Sequence, residues 1–366
     1  MPALALTVTL VPLLIVAEQG RTWGWLSGRS VAAYLIGVLG LVGFLLAERR
    51  IGDDALLPMR LFRRRTFSIG SALNLIIGMG MFGGMAALPL YLQIVRGHSP
   101  TGAGLLMLPL TAGLMSGSVI SGQFISKTGR YRIFPIAGAF LFTVGMLLFS
   151  TIHVDTSLVL VSLYSVIFGL GLGFNMQTLV LAIQNSVPPQ DMGVATSSAT
   201  FFRQMGGTLG TAVFLSVLFG SVVGNIKDAF TAAARTPAFQ QALTDPAVTG
   251  NPDNQPILQM LKGGGETAFN IDDSSFIDKL DPRLAQPVLE GFADSMDLVF
   301  TIGGGVLAIA FFVSFFLPEE KLRTQSGIQA RESEAAAAAE SKAADSKAAE
   351  SSANETPATE KSGSVG

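Results

Sequence analysis

Apolar positions in this chain gather into long blocks almost free of charge. Read with a window of about 19 residues, the blocks lie near 3–17, 31–47, 67–95, 101–124, 133–152, 157–182, 196–222 and 297–317. Most are long enough to cross about 30 Å of hydrocarbon as helices, so the pattern predicts eight membrane spans. The blocks are apolar all round, whereas a surface helix in water keeps a polar face at 3.6-residue spacing. Strands of a membrane barrel would instead alternate with a period of two. The expected fold class is an all-α membrane protein of about eight transmembrane helices.

Basic residues between the blocks orient them. ERRIGDDALLPMRLFRRRTF carries Arg49, Arg50, Arg60, Arg63, Arg64 and Arg65, and SKTGRYR carries Lys127, Arg130 and Arg132. The facing loops carry only Arg21, Arg29 and Arg96. Positive charge stays on the cytoplasmic side, which predicts a multi-pass protein of the cytoplasmic membrane with both termini inside.

The layout that follows has two helices over 1–50 and a basic cytoplasmic linker over 51–66. Five helices occupy 67–222, an extracytoplasmic loop with the turn signals NPDNQP and KGGGE covers 223–296, and a last helix spans 297–318. Residues 319–366, rich in Ala, Glu, Ser and Lys, have too little apolar surface for a core and are expected to form a disordered cytoplasmic tail. The opening MPALALTVTLVPLLIVAEQG lacks the basic start of a secretory signal and is read as a membrane helix interrupted by Pro12.

Composition agrees with a bilayer protein. Of 366 residues, 49% are hydrophobic and 14% charged, with a mean hydropathy of +0.50. The 24 basic and 26 acidic residues leave a net charge of -2 and no basic stripe for a nucleic acid. With no cysteine, disulfides and thiolate chemistry are excluded. His98 and His153 stand outside the apolar blocks, too few for a metal site. GGGE at 263–266 lacks the Lys-Ser/Thr of a phosphate loop, and no paired catalytic carboxylates or nucleophile triad stand out. The reading is of a non-enzyme without cofactor or metal, whose surroundings are the lipid bilayer.

Polar residues at membrane depth are therefore informative. They include Asn74, Gln93, Gln123, Asn175, Gln177, Arg203 and Gln204. Asn74, Asn175, Gln177, Arg203 and Gln204 are the candidate substrate pathway, in which Arg203 orients an anionic group or holds an inner gate. The alternative is that Arg203 reaches cytoplasmic lipid phosphate while the amides satisfy one another between helices. Phe82, Met176, Phe201 and Phe202 are candidate apolar walls or packing residues. Glycine pairs four apart, at 80/84, 113/117, 169/173 and 206/210, predict faces where helix backbones approach closely.

Two segments carry a resemblance. SGQFISKTGRYR resembles the Gly-x-Leu-x-Asp-Arg-x-Gly-Arg-Arg loop of the major facilitator superfamily, matched at Gly122, Lys127, Gly129 and Arg130, with Ser126 in the Asp position. GLGLGFNMQTLVLAIQNSVPPQDMGVATSSATFFRQMGGTLGTAVF, from Gly169 to Phe214, resembles the fourteen-helix drug:proton antiporters of that superfamily, the EmrB/QacA-like branch. The resemblance covers about 3–317. It likens the first two spans to that branch's central helices and the other six to its C-terminal six-helix domain, with no counterpart of the N-terminal six-helix domain.

The resemblance implies part of a multidrug efflux transporter, exporting lipophilic compounds by proton antiport when complete, with the coupling carboxylate usually in the N-terminal half. The expected partners are a lipophilic small-molecule substrate and that N-terminal half. The alternative is a non-transporting scaffold or accessory half-transporter subunit.

Overall fold

The computed structural model describes residues 2–24, 26–51, 58–261, 277, 279–320 and 322. Among the described residues the chain is helical and contains no strand. Linker residues 52–57, the GGGE segment within 262–276 and the tail from 323 lie outside the described residues.

A hairpin of α1 (Pro2–Trp23) and α2 (Gly28–Ile51) comes first. A short helix, α3 (Met59–Phe62), leads into the bundle of α4 (Arg65–Leu90), α5 (Pro100–Leu106), α6 (Leu108–Thr128), α7 (Ile133–Phe149), α8 (Leu158–Asn185) and α9 (Met192–Ala233). Three small helices follow, α10 (Pro237–Thr244), α11 (Pro246–Thr249) and α12 (Gln255–Leu261), before α13 (Pro282–Ser314). Six segments are long and apolar enough to cross a membrane: α2, α4 with the turn after it, α5 with α6, α8, α9 and α13. Apolar runs in α1 (Leu4–Val16) and α7 are shorter. These are the eight blocks of the sequence.

In the bundle α8 packs between α6 and α7, α4 pairs with α9, and α13 lies against α9, α7 and α4. The hairpin meets the bundle through α1 on α9. Lipid is as apolar as leucine, so packing quality has to hold such helices together. Phe142, Phe149, Phe168, Phe214 and Phe300 are fully buried, with ring centroids 4.5 Å apart for Phe142–Phe168 and 5.4 Å for Phe149–Phe300.

Three of the four glycine pairs form backbone seams. A β-carbon on Gly113 would stand 2.5 Å from the carbonyl oxygen of Val166, and one on Gly117 2.7 Å from that of Leu170. Gly169 and Gly173 return the contact against Leu110 and Leu114, closing α6 onto α8. Gly206 and Gly210 lie against the carbonyls of Leu75 and Met79, closing α9 onto α4. The fourth pair differs. Gly80 makes room for the Leu307 side chain and Gly84 for the Phe168 ring.

Two expected boundaries fall inside helices. Residue 222 lies within α9, which continues to Ala233, and 296 lies within α13, which begins at Pro282. Charge appears there, but a helix leaving the membrane can expose Lys227 and Asp228 while burying Phe230. Much of the expected loop is thus a packed cap over the ends of α9 and α13. Phe230, Phe239, Val248, Ile257, Leu280 and Leu284 share its core. Asn254 ties it, donating to the Val248 carbonyl (3.0 Å) and accepting from the Asp281 N–H (3.1 Å).

Candidate functional site

Asn74, Asn175, Gln177, Arg203 and Gln204 stand at similar distances along their helices from the end that carries the basic loops. Arg203 stands 11 residues beyond Met192, about 17 Å into α9 at 1.5 Å per residue. The helix therefore starts earlier than the apolar block at 196–222 implied. Asn74 lies about 14 Å into α4 from Arg65, and Asn175 and Gln177 about 15 and 12 Å from the Asn185 end of α8.

Their side chains separate. Asn74 is buried, its amide donating to the Gly70 carbonyl at 2.9 Å. Asn175 is buried too, donating to the Gly171 carbonyl at 2.8 Å, with its Nδ2 in the space a β-carbon on Gly138 of α7 would need. Its Oδ1 has no hydrogen-bond partner. Gln177, two residues on and so about 200° around the helix, is exposed, as is Gln204. Arg203 is half-buried, and its backbone carbonyl abuts Gly78 of α4. The structure thus places Asn74 and Asn175 in helix contacts, and Gln177 and Gln204 on open faces. Gln93 of α4's terminal turn is half-buried and Gln123 exposed. Phe201 and Phe202 stack edge to face at 5.5 Å, Phe202 meets Phe62 at 6.1 Å, and Phe82 lies against Gly207.

The basic end of the bundle carries a second, unforeseen set of contacts. Arg60 of α3 pairs with Asp191 at 3.0 Å, and Arg64 donates to the Ser186 carbonyl at 2.7 Å. Leu61, Phe67, Ile183, Val187, Ala195 and Ala199 form a small core beneath them. Across the same end, the segment after α13 is fastened to α4 and to the α6–α7 turn. Thr66 donates to Glu320 at 2.6 Å, Arg132 to the Phe315 carbonyl at 2.8 Å, and Tyr131 accepts from the Glu320 N–H at 3.0 Å while donating to the Pro318 carbonyl at 3.3 Å. Burial, the dominant influence, pushes the Tyr131 hydroxyl pKa up.

The loop motif lies beside these contacts. Gly129 ends α6 in the left-handed conformation (φ 69°), its N–H bonded to Ile125 at 2.8 Å. That φ favours glycine. Lys127 and Arg130 are exposed, and Gly122 has open space around it. Among the motif's basic residues Arg132 alone caps a helix, the C-terminus of α13.

Asp191, before α9, and Glu48, near the end of α2, are the carboxylates among the described residues that are buried, Glu48 to 2% exposure. Reach across 131 positions is invisible to local pattern, although the DDALLPMRLFRRRTF and PPQD segments hold the charges that meet. His153 is exposed, and its carbonyl accepts from Tyr91 at 2.9 Å. Among the described residues no group of three or more His, Cys, Asp or Glu is placed to hold a metal.

Residues 5–211 match the Major Facilitator Superfamily. The chain belongs to that superfamily. This facilitator is 38% identical over 344 residues to a tetracycline resistance determinant of Streptomyces rimosus, a match covering 92% of this chain and 98% of that protein. It is 32% identical over 314 residues to an uncharacterized MFS-type transporter of Mycobacterium tuberculosis, covering 86% of this chain and 41% of that one. With a multidrug transporter protein of Bacillus subtilis it shares 29% over 331 residues, covering 89% and 59%. The facilitator therefore spans nearly all of the first relative and about two fifths to three fifths of the other two. It is a multi-pass membrane protein of the half-fold expected from its sequence.

Proposed function

We propose that this facilitator exports lipophilic, drug-like compounds across the cytoplasmic membrane. Export is coupled to inward proton movement when its six-helix domain is completed by a matching N-terminal half, as in the fourteen-helix antiporters. The observation that carries the reading is the match to the tetracycline resistance determinant along 92% of the chain. The site's polar side chains support it. A mostly apolar bundle with Gln177 and Gln204 on open faces suits substrates that need hydrophobic walls and a few hydrogen bonds. Proton coupling calls for an ionisable group whose protonation follows the conformational cycle. The carboxylates of residues 65–222 are Asp155 in the α7–α8 loop and Asp191 just before α9, so the coupling carboxylate is assigned outside that stretch.

The two domains would rock about a midplane site, with the basic end cytoplasmic by the positive-inside rule. Tetracycline accumulation in inverted vesicles, energised by a proton gradient and abolished by a protonophore, tests the proposal. A gradient-independent signal in vesicles also containing a matching N-terminal half would reject antiport, and no accumulation at all would reject export.

A further inference from the structure

The α1–α2 hairpin carries an apolar groove of about 550 Å³, walled by Leu4, Ala5 and Val8 of α1 and by Ile36, Gly43 and Ala47 of α2. Two glycines account for its shape. A β-carbon on Gly40 would stand 2.7 Å from the Thr9 backbone nitrogen and 2.9 Å from the Val8 carbonyl carbon, so the helices touch there through backbone. One on Gly43, about a turn later, would meet nothing within 4 Å. The helices cross tightly at the first glycine and leave space open at the second. Every wall side chain is hydrocarbon or absent. The neighbouring hydroxyl of Thr9 is buried and donates to the Ala5 carbonyl at 2.8 Å, so it is already satisfied within α1.

Charge enters at one end of the groove. Ile36, Gly40, Gly43, Ala47 and Arg50 recur at spacings of 4, 3, 4 and 3, which sets them along one stripe of α2. From Ile36 to Ala47 that stripe runs about 17 Å at 1.5 Å per residue, and Arg50 follows one turn beyond. Arg50 is exposed and makes no hydrogen bond or ion pair among the described residues. Glu48, two positions earlier and so about 200° around the helix, is buried on another face.

We infer that the hairpin binds one phospholipid with an anionic headgroup, its acyl chain lying in the groove and its phosphate meeting Arg50. A drug-like ligand needs a few placed polar groups in its pocket, which this lining does not offer, whereas a hydrocarbon chain needs none. At the end of the stripe a guanidinium complements phosphate in both charge and geometry. The ligand class that matches both parts is an amphiphile with one long apolar chain and one anionic head. This site goes beyond the proposed export and does not depend on it.

The test takes the full chain from nanodiscs holding equal amounts of phosphatidylglycerol and phosphatidylcholine with the same acyl chains, and reads the lipid it retains by native mass spectrometry. One retained lipid per chain is expected, with phosphatidylglycerol favoured about fivefold, the effect of one basic residue on an anionic lipid. Gly43→Leu, which fills the groove, should strip the lipid. Arg50→Gln should keep a lipid but lose the preference, and Arg50→Lys should keep most of it. Arg130→Gln, an exposed charge outside the hairpin, should leave the preference unchanged. Melting temperatures recorded for each variant show misfolding directly. Equal retention of the two lipids, retention undiminished in a well-folded Gly43→Leu protein, or a preference lost as fully in Arg130→Gln as in Arg50→Gln overturns the inference. So does a second copy of the chain retained in place of lipid and lost in Gly43→Leu.

Discussion

Arg60 holds Asp191 at 3.0 Å across a gap of 131 positions, joining the helix that enters the bundle to the turn between α8 and α9. The arginine is partly in solvent, the carboxylate nearly enclosed, at 42% and 8% side-chain exposure. Such a pair contributes little through attraction and much through the penalty of leaving the enclosed partner alone. Arg60→Ala should destabilise by about 1–3 kcal/mol, and Arg60→Ala with Asp191→Asn by less than Arg60→Ala alone. Thermal melts of the variants in one detergent check this. A double variant less stable than Arg60→Ala would contradict it.

The α4–α9 seam allows no side chain at Gly206, which abuts the Leu75 carbonyl, or at Gly78, which abuts that of Arg203. Backbone cannot yield as a side-chain tip can. Gly206→Ala and Gly78→Ala should each cost about 1–3 kcal/mol from overpacking. Gly122→Ala, with open space around it, should change the melting temperature very little.

Tyr131 closes the far end of α13, and its effect depends on pH in a defined direction. Burial raises its hydroxyl pKa above the ordinary value of about 10. Its contribution is present below pH 10 and lost as the pH rises through the raised value. Tyr131→Phe should lower stability by about 1–3 kcal/mol at neutral pH and weaken the alkaline loss. The alkaline decline should be measured against the wild type, and an identical decline in the variant would refute the assignment.

In the cap, Arg283 bonds Asp281 and Asp245, each at 3.0 Å. Hydrogen bonds from Arg283 hold the Asp281 carboxyl below its ordinary value. A bond from the Ala247 N–H, then Arg283, does the same for Asp245. Depressed carboxyls favour the folded form above about pH 4, and the benefit fades as pH falls through their lowered values. Protection factors in α10 and α12, each corrected for the intrinsic exchange rate at that pH, should fall at pH 3 relative to pH 6. In Arg283→Gln protection should already be reduced at pH 6.

The helices were legible because a bilayer demands long apolar blocks, and the glycine pairs at 113/117 and 169/173 were legible as seams because close backbone approach needs small residues at helical spacing. Where the blocks ended was less so. Residues 223–233 and 282–296 carry charge yet continue α9 and α13, since hydropathy reports surroundings rather than backbone conformation. At the candidate site, the positions of Asn74, Asn175, Gln177, Arg203 and Gln204 along their helices were legible, but not their directions. Asn175 and Gln177 sit two apart and point to different environments. Arg60 and Asp191 were unreadable as a pair because nothing local records a contact 131 positions long.

The continuous run of α9 has a mechanical meaning. Its 42 residues make a rod about 63 Å long with no proline and no break, gripped near one end by the Arg60–Asp191 joint and carrying the cap at the other. In a rod of that length any tilt is magnified at the far end. Tilting it by about 10° at the joint would swing the cap sideways by about 11 Å, so a small rearrangement beside Arg203 would appear at the far surface as a displacement large enough for a pair of spin labels to register.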